Sequence, residues 1–72
     1  MEKFKERFFE IWEWDDDYYY ATFDLVNEAR KYLKLPVFDI KTFDEGWQYR
    51  TLRHTDKDIA WDEFANVVLG WW

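Results

Sequence analysis

The sequence predicts a small α+β domain of order ββα–ββα, in which a four-stranded antiparallel sheet carries both helices on one face. The segment FEIWEWDDDYYYATF, residues 9–23, recurs 29 residues later as FDIKTFDEGWQYRTL, residues 38–52, with five identities. An apolar stretch of helical spacing follows each copy. We interpret the recurrence as one hairpin used twice, so that the single domain 1–72 consists of halves 1–35 and 36–72.

The start of the chain admits two interpretations. Four apolar residues have the i, i+4, i+7, i+8 spacing of a helix: Phe4, Phe8, Ile11 and Trp12. The second copy contains Thr42 and Gly46 at positions that favour a strand and a turn, and the matching positions of the first copy should share that structure. We therefore predict a strand from about Lys5 or Arg7 to Trp14, and a helix over residues 2–13 is the alternative.

Two acidic loops are predicted to reverse the chain. Residues 15–17, all aspartate, close the first hairpin, and residues 44–46 close the second, because Asp tolerates turn backbone and Gly supplies positive φ. The first loop lacks glycine, which makes Asp17 a candidate for the left-handed conformation. Cross-strand pairing then places seven aromatic residues on one sheet face: Trp12, Trp14, Tyr18, Tyr20, Phe43, Trp47 and Tyr49.

A helix is predicted after each hairpin. Asp24 is a good N-cap for the first, which ends before Pro36. Thr55 and Asp58 resemble a capping box for the second, and Gly70 is well placed to stop it. Both helices should cover the sheet face that bears Phe9, Ile11, Phe23, Phe38, Ile40 and Leu52. We expect the aromatic face to stay open, and the reverse assignment of the two faces is the alternative. In either case the open face is too apolar for an ordinary solvated sheet surface.

The composition restricts the chemistry available to this chain. It contains no Ser and no Cys, so neither a serine nor a cysteine triad can be assembled. His54 is the single histidine, and its polar surroundings RHTDKD predict a solvated loop residue. The Asp15–Asp17 cluster offers oxygen ligands for Ca²⁺ or Mg²⁺, but it lacks the alternating ligands and bend glycine of an EF-hand loop. We predict no catalytic residue, no metal site and no cofactor.

The net charge of −6 restricts the classes of partner that this chain is expected to bind. A negative field opposes phosphates and anionic lipids, so we expect no direct nucleic-acid or membrane binding, and it favours a protein with a basic surface. The absence of Cys, of a signal-peptide pattern and of a membrane-length apolar run predicts a cytoplasmic location.

The predicted functional surface binds protein, because aromatic side chains supply contact area and acidic ones steer a basic partner. The predicted partner-binding residues are Trp12, Trp14, Asp15, Asp16, Asp17, Tyr18, Tyr20, Phe43, Asp44, Glu45, Trp47 and Tyr49. In its small size, acidity and lack of catalytic groups, the chain resembles in composition the phage-encoded inhibitors that mimic DNA or block defence nucleases, such as anti-CRISPR and anti-restriction proteins.

That resemblance implies a non-enzymatic inhibitor of a nuclease or other nucleic-acid-binding enzyme, acting in the cytoplasm of a host cell. The alternative function is a homodimeric structural or adaptor protein whose aromatic sheet face is the dimer interface.

Overall fold

The computed structural model describes residues 2–14, 16–50, 52–53 and 56–72. These residues form four α-helices: α1 (Glu2–Trp14), α2 (Tyr18–Tyr32), α3 (Ile40–Tyr49) and α4 (Lys57–Leu69). The described part of the chain contains no strand, so the predicted α+β class, the ββα–ββα order and the antiparallel sheet are wrong. None of its helices is both long enough and apolar enough to cross a membrane.

The first helix follows the alternative interpretation of the sequence. Phe4, Phe8 and Ile11 are buried along one side of α1, as their helical spacing requires. α2 returns antiparallel to α1, since Phe4 contacts Tyr32 and Arg7 pairs with Glu28. The predicted first hairpin is wrong, because the segments before and after its loop are the helices α1 and α2 and not two strands.

The connection between α1 and α2 corrects two predictions about helix α2. That helix begins at Tyr18, so Asp24 lies inside it and is not its N-cap. Asp17 precedes it with φ −97°, which is not the predicted left-handed conformation. The positive φ of a non-glycine residue occurs instead at Lys34, just beyond the end of α2 (φ 61°).

Helices α2 and α4 end in the same way. The amide of Leu35 donates to the carbonyl of Arg30 at 2.8 Å after α2, and the amide of Trp71 donates to the carbonyl of Asn66 at 2.8 Å after α4. Gly70 supplies the left-handed residue of α4 (φ 76°), which confirms it as the predicted stop. The N-cap of α4 is Asp56, and the predicted capping residue Thr55 lies outside the described residues.

The core lies where α1, α2 and α4 meet. Phe8 and Phe64 lie at its centre, with ring centroids 4.8 Å apart, and Trp61 stacks on Phe64 at 5.2 Å. α2 and α4 add Leu25, Val26, Val67 and Val68, all with 1% exposure or less. Burying such aliphatic and aromatic side chains is the main contribution to the stability of a chain this small.

The third helix is attached mainly by aromatic contacts. Asp39 caps it by accepting a hydrogen bond from the amide of Thr42 at 2.8 Å, and Phe43 is buried on its inner side. The predicted turn at Asp44–Gly46 is wrong, because these residues lie inside α3. Gly46 serves close packing: a Cβ there would lie 2.9 Å from Cε3 of Trp72.

We expect Gly46→Ala to lower the free energy of unfolding by about 1 kcal/mol, because overpacking costs ~1–3 kcal/mol and better helix propensity returns ~1 kcal/mol. In a Trp72→Ala background the same change should become stabilising, since the ring is gone. Urea denaturation of the four proteins in this double-mutant cycle measures the difference. Equal destabilisation in both backgrounds would show that the ring is not the cause.

Candidate functional site

The corner where α1 ends and α2 begins carries an exposed tryptophan among acidic side chains. We define the acidic corner as five exposed residues: Glu10, Glu13, Trp14, Asp16 and Asp17. Residues 8–24 contain six acidic residues and no Lys or Arg. A shallow depression of about 520 Å³ is lined by Arg7, Glu10, Ile11, Trp14, Asp16 and Asp17. The corner therefore combines a concave shape, negative charge and a large aromatic surface.

Helical geometry explains why these side chains converge. Glu10, Glu13 and Trp14 stand at i, i+3 and i+4, so they share one side of α1, and Ile11 turns to the core. The indole of Trp14 is 80% exposed, so the fold leaves nearly all of a large apolar side chain in water. A tryptophan exposed in this way supplies the type of contact area that a binding partner buries at a hot spot.

Acidic side chains of the corner also destabilise the C-terminal end of α1. The C-terminal end of a helix carries a partial negative charge that favours Lys, Arg or His⁺ by about 0.3–1 kcal/mol. The last turn of α1, fully described, contains no basic residue and includes Glu13. A sequence arranged for helix stability alone would place a cation there, and departures from such local rules concentrate at functional sites.

Helix α3 is joined to the beginning of α2 by Tyr19. Its hydroxyl donates to Asp44 Oδ1 at 2.8 Å, and its ring meets Trp47 edge-on at 5.0 Å and Tyr20 edge-on at 5.2 Å. Burial raises the pKa of Tyr19 to about 12, and the hydrogen-bonded carboxylate of Asp44 adds to the effect. The phenol therefore stays protonated and holds α3 beside α2.

The predicted binding residues do not form one face. Trp14, Asp16, Asp17, Tyr20, Glu45 and Tyr49 are exposed, whereas Trp12, Asp44 and Trp47 are half-buried. Tyr18 and Phe43 are buried in the core, and Asp15 lies outside the described residues. The predicted open aromatic sheet face is therefore wrong, because the described residues form no sheet.

Three of the predicted residues lie together in the acidic corner: Trp14, Asp16 and Asp17. The prediction missed Glu10 and Glu13, although their helical spacing to Trp14 was the available signal. It also missed Tyr19, whose contacts with α3 have no local sequence signal.

Groups with shifted pKa are engaged in holding the fold. The buried hydroxyl of Tyr18 donates to the carbonyl of Leu52, and burial raises its pKa above the usual value. Burial lowers the pKa of Arg30, whose guanidinium donates to two backbone carbonyls. In the described residues no three His, Cys, Asp or Glu side chains are placed to hold a metal ion. His54 lies outside this part of the chain.

The chain was compared with protein-family models, with curated proteins and with solved structures, and none of the three comparisons gives a match.

Proposed function

We propose that this chain is a small non-enzymatic inhibitor that binds a basic surface of another protein through its acidic corner. The observation that carries the proposal is the 80% exposure of Trp14 among the carboxylates of the corner. Burying a side chain of this size contributes roughly 2–4 kcal/mol to binding when a partner covers it. The carboxylates around it select a partner of positive charge and speed the encounter.

The partner we propose is a nuclease or another enzyme that binds nucleic acid. Such enzymes carry Lys and Arg where the phosphate backbone lies, and the carboxylates of Glu13 and Asp16 would pair with these cations in place of phosphates. A cation of the partner can also lie over the indole of Trp14, which adds an attraction that phosphate does not offer. The net charge of −6 supports this partner class, and we place the encounter in the cytoplasm of a host cell.

The geometry favours binding over catalysis. The depression at the acidic corner is shallow and open, so its carboxylates remain solvated and lack the dry surroundings that tune a general acid or base. Burial shifts the pKa values of Tyr18, Tyr19 and Arg30. These groups donate their hydrogen bonds to backbone carbonyls or to Asp44, and so they hold the fold together. The proposal accordingly needs no cofactor and no metal.

The test measures binding to a panel of purified restriction and CRISPR nucleases, together with inhibition of duplex cleavage. We expect Trp14→Ala to weaken binding to the inhibited nuclease by about 30-fold, the equivalent of a hot-spot loss of ~2 kcal/mol. Trp71→Ala is the matched control, because Trp71 is also largely exposed (62%) but lies after α4. Its binding should be unchanged.

The charge arm of the test uses two variants of equal net charge. Glu13→Gln/Asp16→Asn neutralises two acids of the corner, and Asp24→Asn/Asp62→Asn neutralises two exposed acids elsewhere. We expect the first pair to weaken binding about tenfold and the second pair to have little effect. Equal losses would show that only overall charge matters. A panel with no inhibited nuclease would contradict the proposed partner class.

A further inference from the structure

One stripe of helix α1 is exposed and carries charges of both signs. Lys3, Arg7, Glu10 and Trp14 follow one another at spacings of four, three and four residues, and all four are exposed. This spacing is that of the contact seam between two packed helices. The N-terminal half of the stripe is basic, and the C-terminal half ends in an acid and the exposed indole.

Two depressions flank this stripe, one at each end. The first is the depression of the acidic corner described above. The second, of about 480 Å³, lies between α1 and α2 and is lined by Lys3, Phe4, Arg7, Glu28, Lys31 and Tyr32. The first holds three carboxylates and one guanidinium, a formal charge of −2. The second holds three cations and one carboxylate, a formal charge of +2. Arg7 borders both, so the two depressions form a continuous surface.

The stripe is complementary to itself when it is reversed. Its midpoint falls between residues 8 and 9, with Arg7 and Glu10 equally distant from it, and Lys3 and Trp14 equally distant farther out. In an antiparallel contact across a two-fold axis, residue i of one copy faces residue j of the other, and j faces i. Arg7 then faces Glu10 of the second copy, and Lys3 faces Trp14. A parallel contact would oppose like charges.

We infer that a second copy of this chain docks antiparallel along α1, placing the acidic corner of each copy against the basic depression of the other. The indole of Trp14 would enter the second depression beside Tyr32 and Phe4, which are in edge contact at 5.5 Å, with the Lys3 ammonium near its face. Arg7 can retain its ion pair with Glu28 and meet Glu10 of the second copy with its remaining donors. The interface buries the largest exposed apolar side chain of α1.

This self-association goes beyond the proposed function and competes with it. The dimer covers the acidic corner, so a basic partner must displace the second copy before it binds. The net charge of −6 on each chain opposes association, and we expect a dimer that exchanges with monomer at micromolar concentrations. The free corner is then most available when the chain is dilute.

The test reverses single charges on the stripe and measures the association of each variant by sedimentation equilibrium. A chain concentration of about 10–500 μM spans weak association. The wild-type chain should show a concentration-dependent monomer–dimer equilibrium. Arg7→Glu and Glu10→Arg should each weaken association at least about tenfold, because two-fold symmetry makes each change act twice. An equimolar mixture of these two variants should recover a heterodimer, since each mixed contact again joins opposite charges.

Three controls keep the result interpretable. Asp62→Arg changes the net charge as Glu10→Arg does but lies on α4, outside the acidic corner and the stripe, so it should not weaken the dimer. Lys3→Glu leaves the Arg7–Glu28 pair intact and should weaken the dimer as well. Circular dichroism checks that every variant keeps its helix content.

A wild-type chain that stays monomeric throughout the concentration range would overturn the inference. A dimer whose stability neither Arg7→Glu nor Glu10→Arg changes would also overturn it, and so would an equimolar mixture of these variants that forms no heterodimer. None of these results bears on nuclease binding, which is measured with dilute chain.

Discussion

Phe8→Ala is expected to lower the free energy of unfolding by about 3–5 kcal/mol, because the change removes a buried ring and leaves a cavity. Phe8 has 0% exposure, and its ring lies 4.8 Å from that of Phe64 and 5.9 Å from that of Trp61. A chain of 72 residues has a total stability of about 4–11 kcal/mol. The change should therefore remove a large part of the free energy of unfolding, which urea denaturation followed by circular dichroism will measure.

The neighbouring Phe9 provides the control. Its ring is half-buried, with the ammonium groups of Lys5 and Lys57 at 5.8 and 5.0 Å from the centroid. We expect Phe9→Ala to cost about 1–2 kcal/mol, well below Phe8→Ala, because less apolar area is lost. The strand arrangement predicted from the sequence would bury Phe9 beneath the helices. A larger loss for Phe9→Ala than for Phe8→Ala would thus favour that arrangement over the helix.

Elements with a complete local signal were predictable. The spacing of the last apolar stretch predicts a stripe of Ile59, Ala60, Phe64, Val67 and Val68. All of these are buried on α4 except Ile59, which is 42% exposed, and Gly70 ends that helix in the left-handed conformation. The helical spacing in residues 2–13 was equally clear, and it is correct. In each case the residues that establish the element lie within the element itself, so periodicity along the chain is enough to find it.

The recurrence of aromatic and acidic residues misled the prediction because it matched composition and not structure. Asp16 and Glu45 align in the two copies, but the first falls in the connection after α1 and the second lies inside α3. Glycine inside a helix costs about 1 kcal/mol relative to alanine, which made Gly46 resemble a turn. Glycine is favoured at position 46 because the ring of Trp72 occupies the space that a Cβ would need. No local sequence pattern reveals this contact.

The candidate site was predictable in its chemistry but not in its shape. Acidic and aromatic residues near positions 14–17 indicated a binding surface, and Trp14 and Asp16 are exposed there. Whether an aromatic residue near the loop is exposed or buried depends on helix phase, which the strand interpretation assigned wrongly. Tyr18 and Phe43 accordingly belong to the core and not to the surface.

Arg30 is the residue whose substitution should have the second largest effect, because three separate contacts meet at its guanidinium. It is only 8% exposed, Nε donates to the carbonyl of Pro36 at 2.5 Å, and Nη1 donates to the carbonyl of Val68 at 2.5 Å. The ring centroid of Phe38 lies 3.8 Å from Cζ. One side chain of α2 thus binds both the connection to α3 and the end of α4, where the helix dipole favours a cation.

We expect Arg30→Lys to lower the free energy of unfolding by about 2–4 kcal/mol, since hydrogen bonds from a charged donor contribute ~1.5–3 kcal/mol each and an ammonium cannot reproduce the planar fork. Arg30→Met should cost no more than Arg30→Lys, because it also removes the cost of desolvating a cation. Lys31→Met, at an exposed neighbour, is the control and should change stability by less than about 0.5 kcal/mol.

Urea denaturation gives the three free energies, and amide hydrogen exchange shows where the structure loosens. Loss of the Arg30 guanidinium should increase amide hydrogen exchange first at Phe38, whose amide donates to Asn27 Oδ1 at 2.9 Å. The centre of α2 should be affected less. If Arg30→Lys keeps full stability, the positive charge alone holds this junction. If Arg30→Met is the more damaging change, the attraction between the cation and the end of α4 outweighs the cost of burying it.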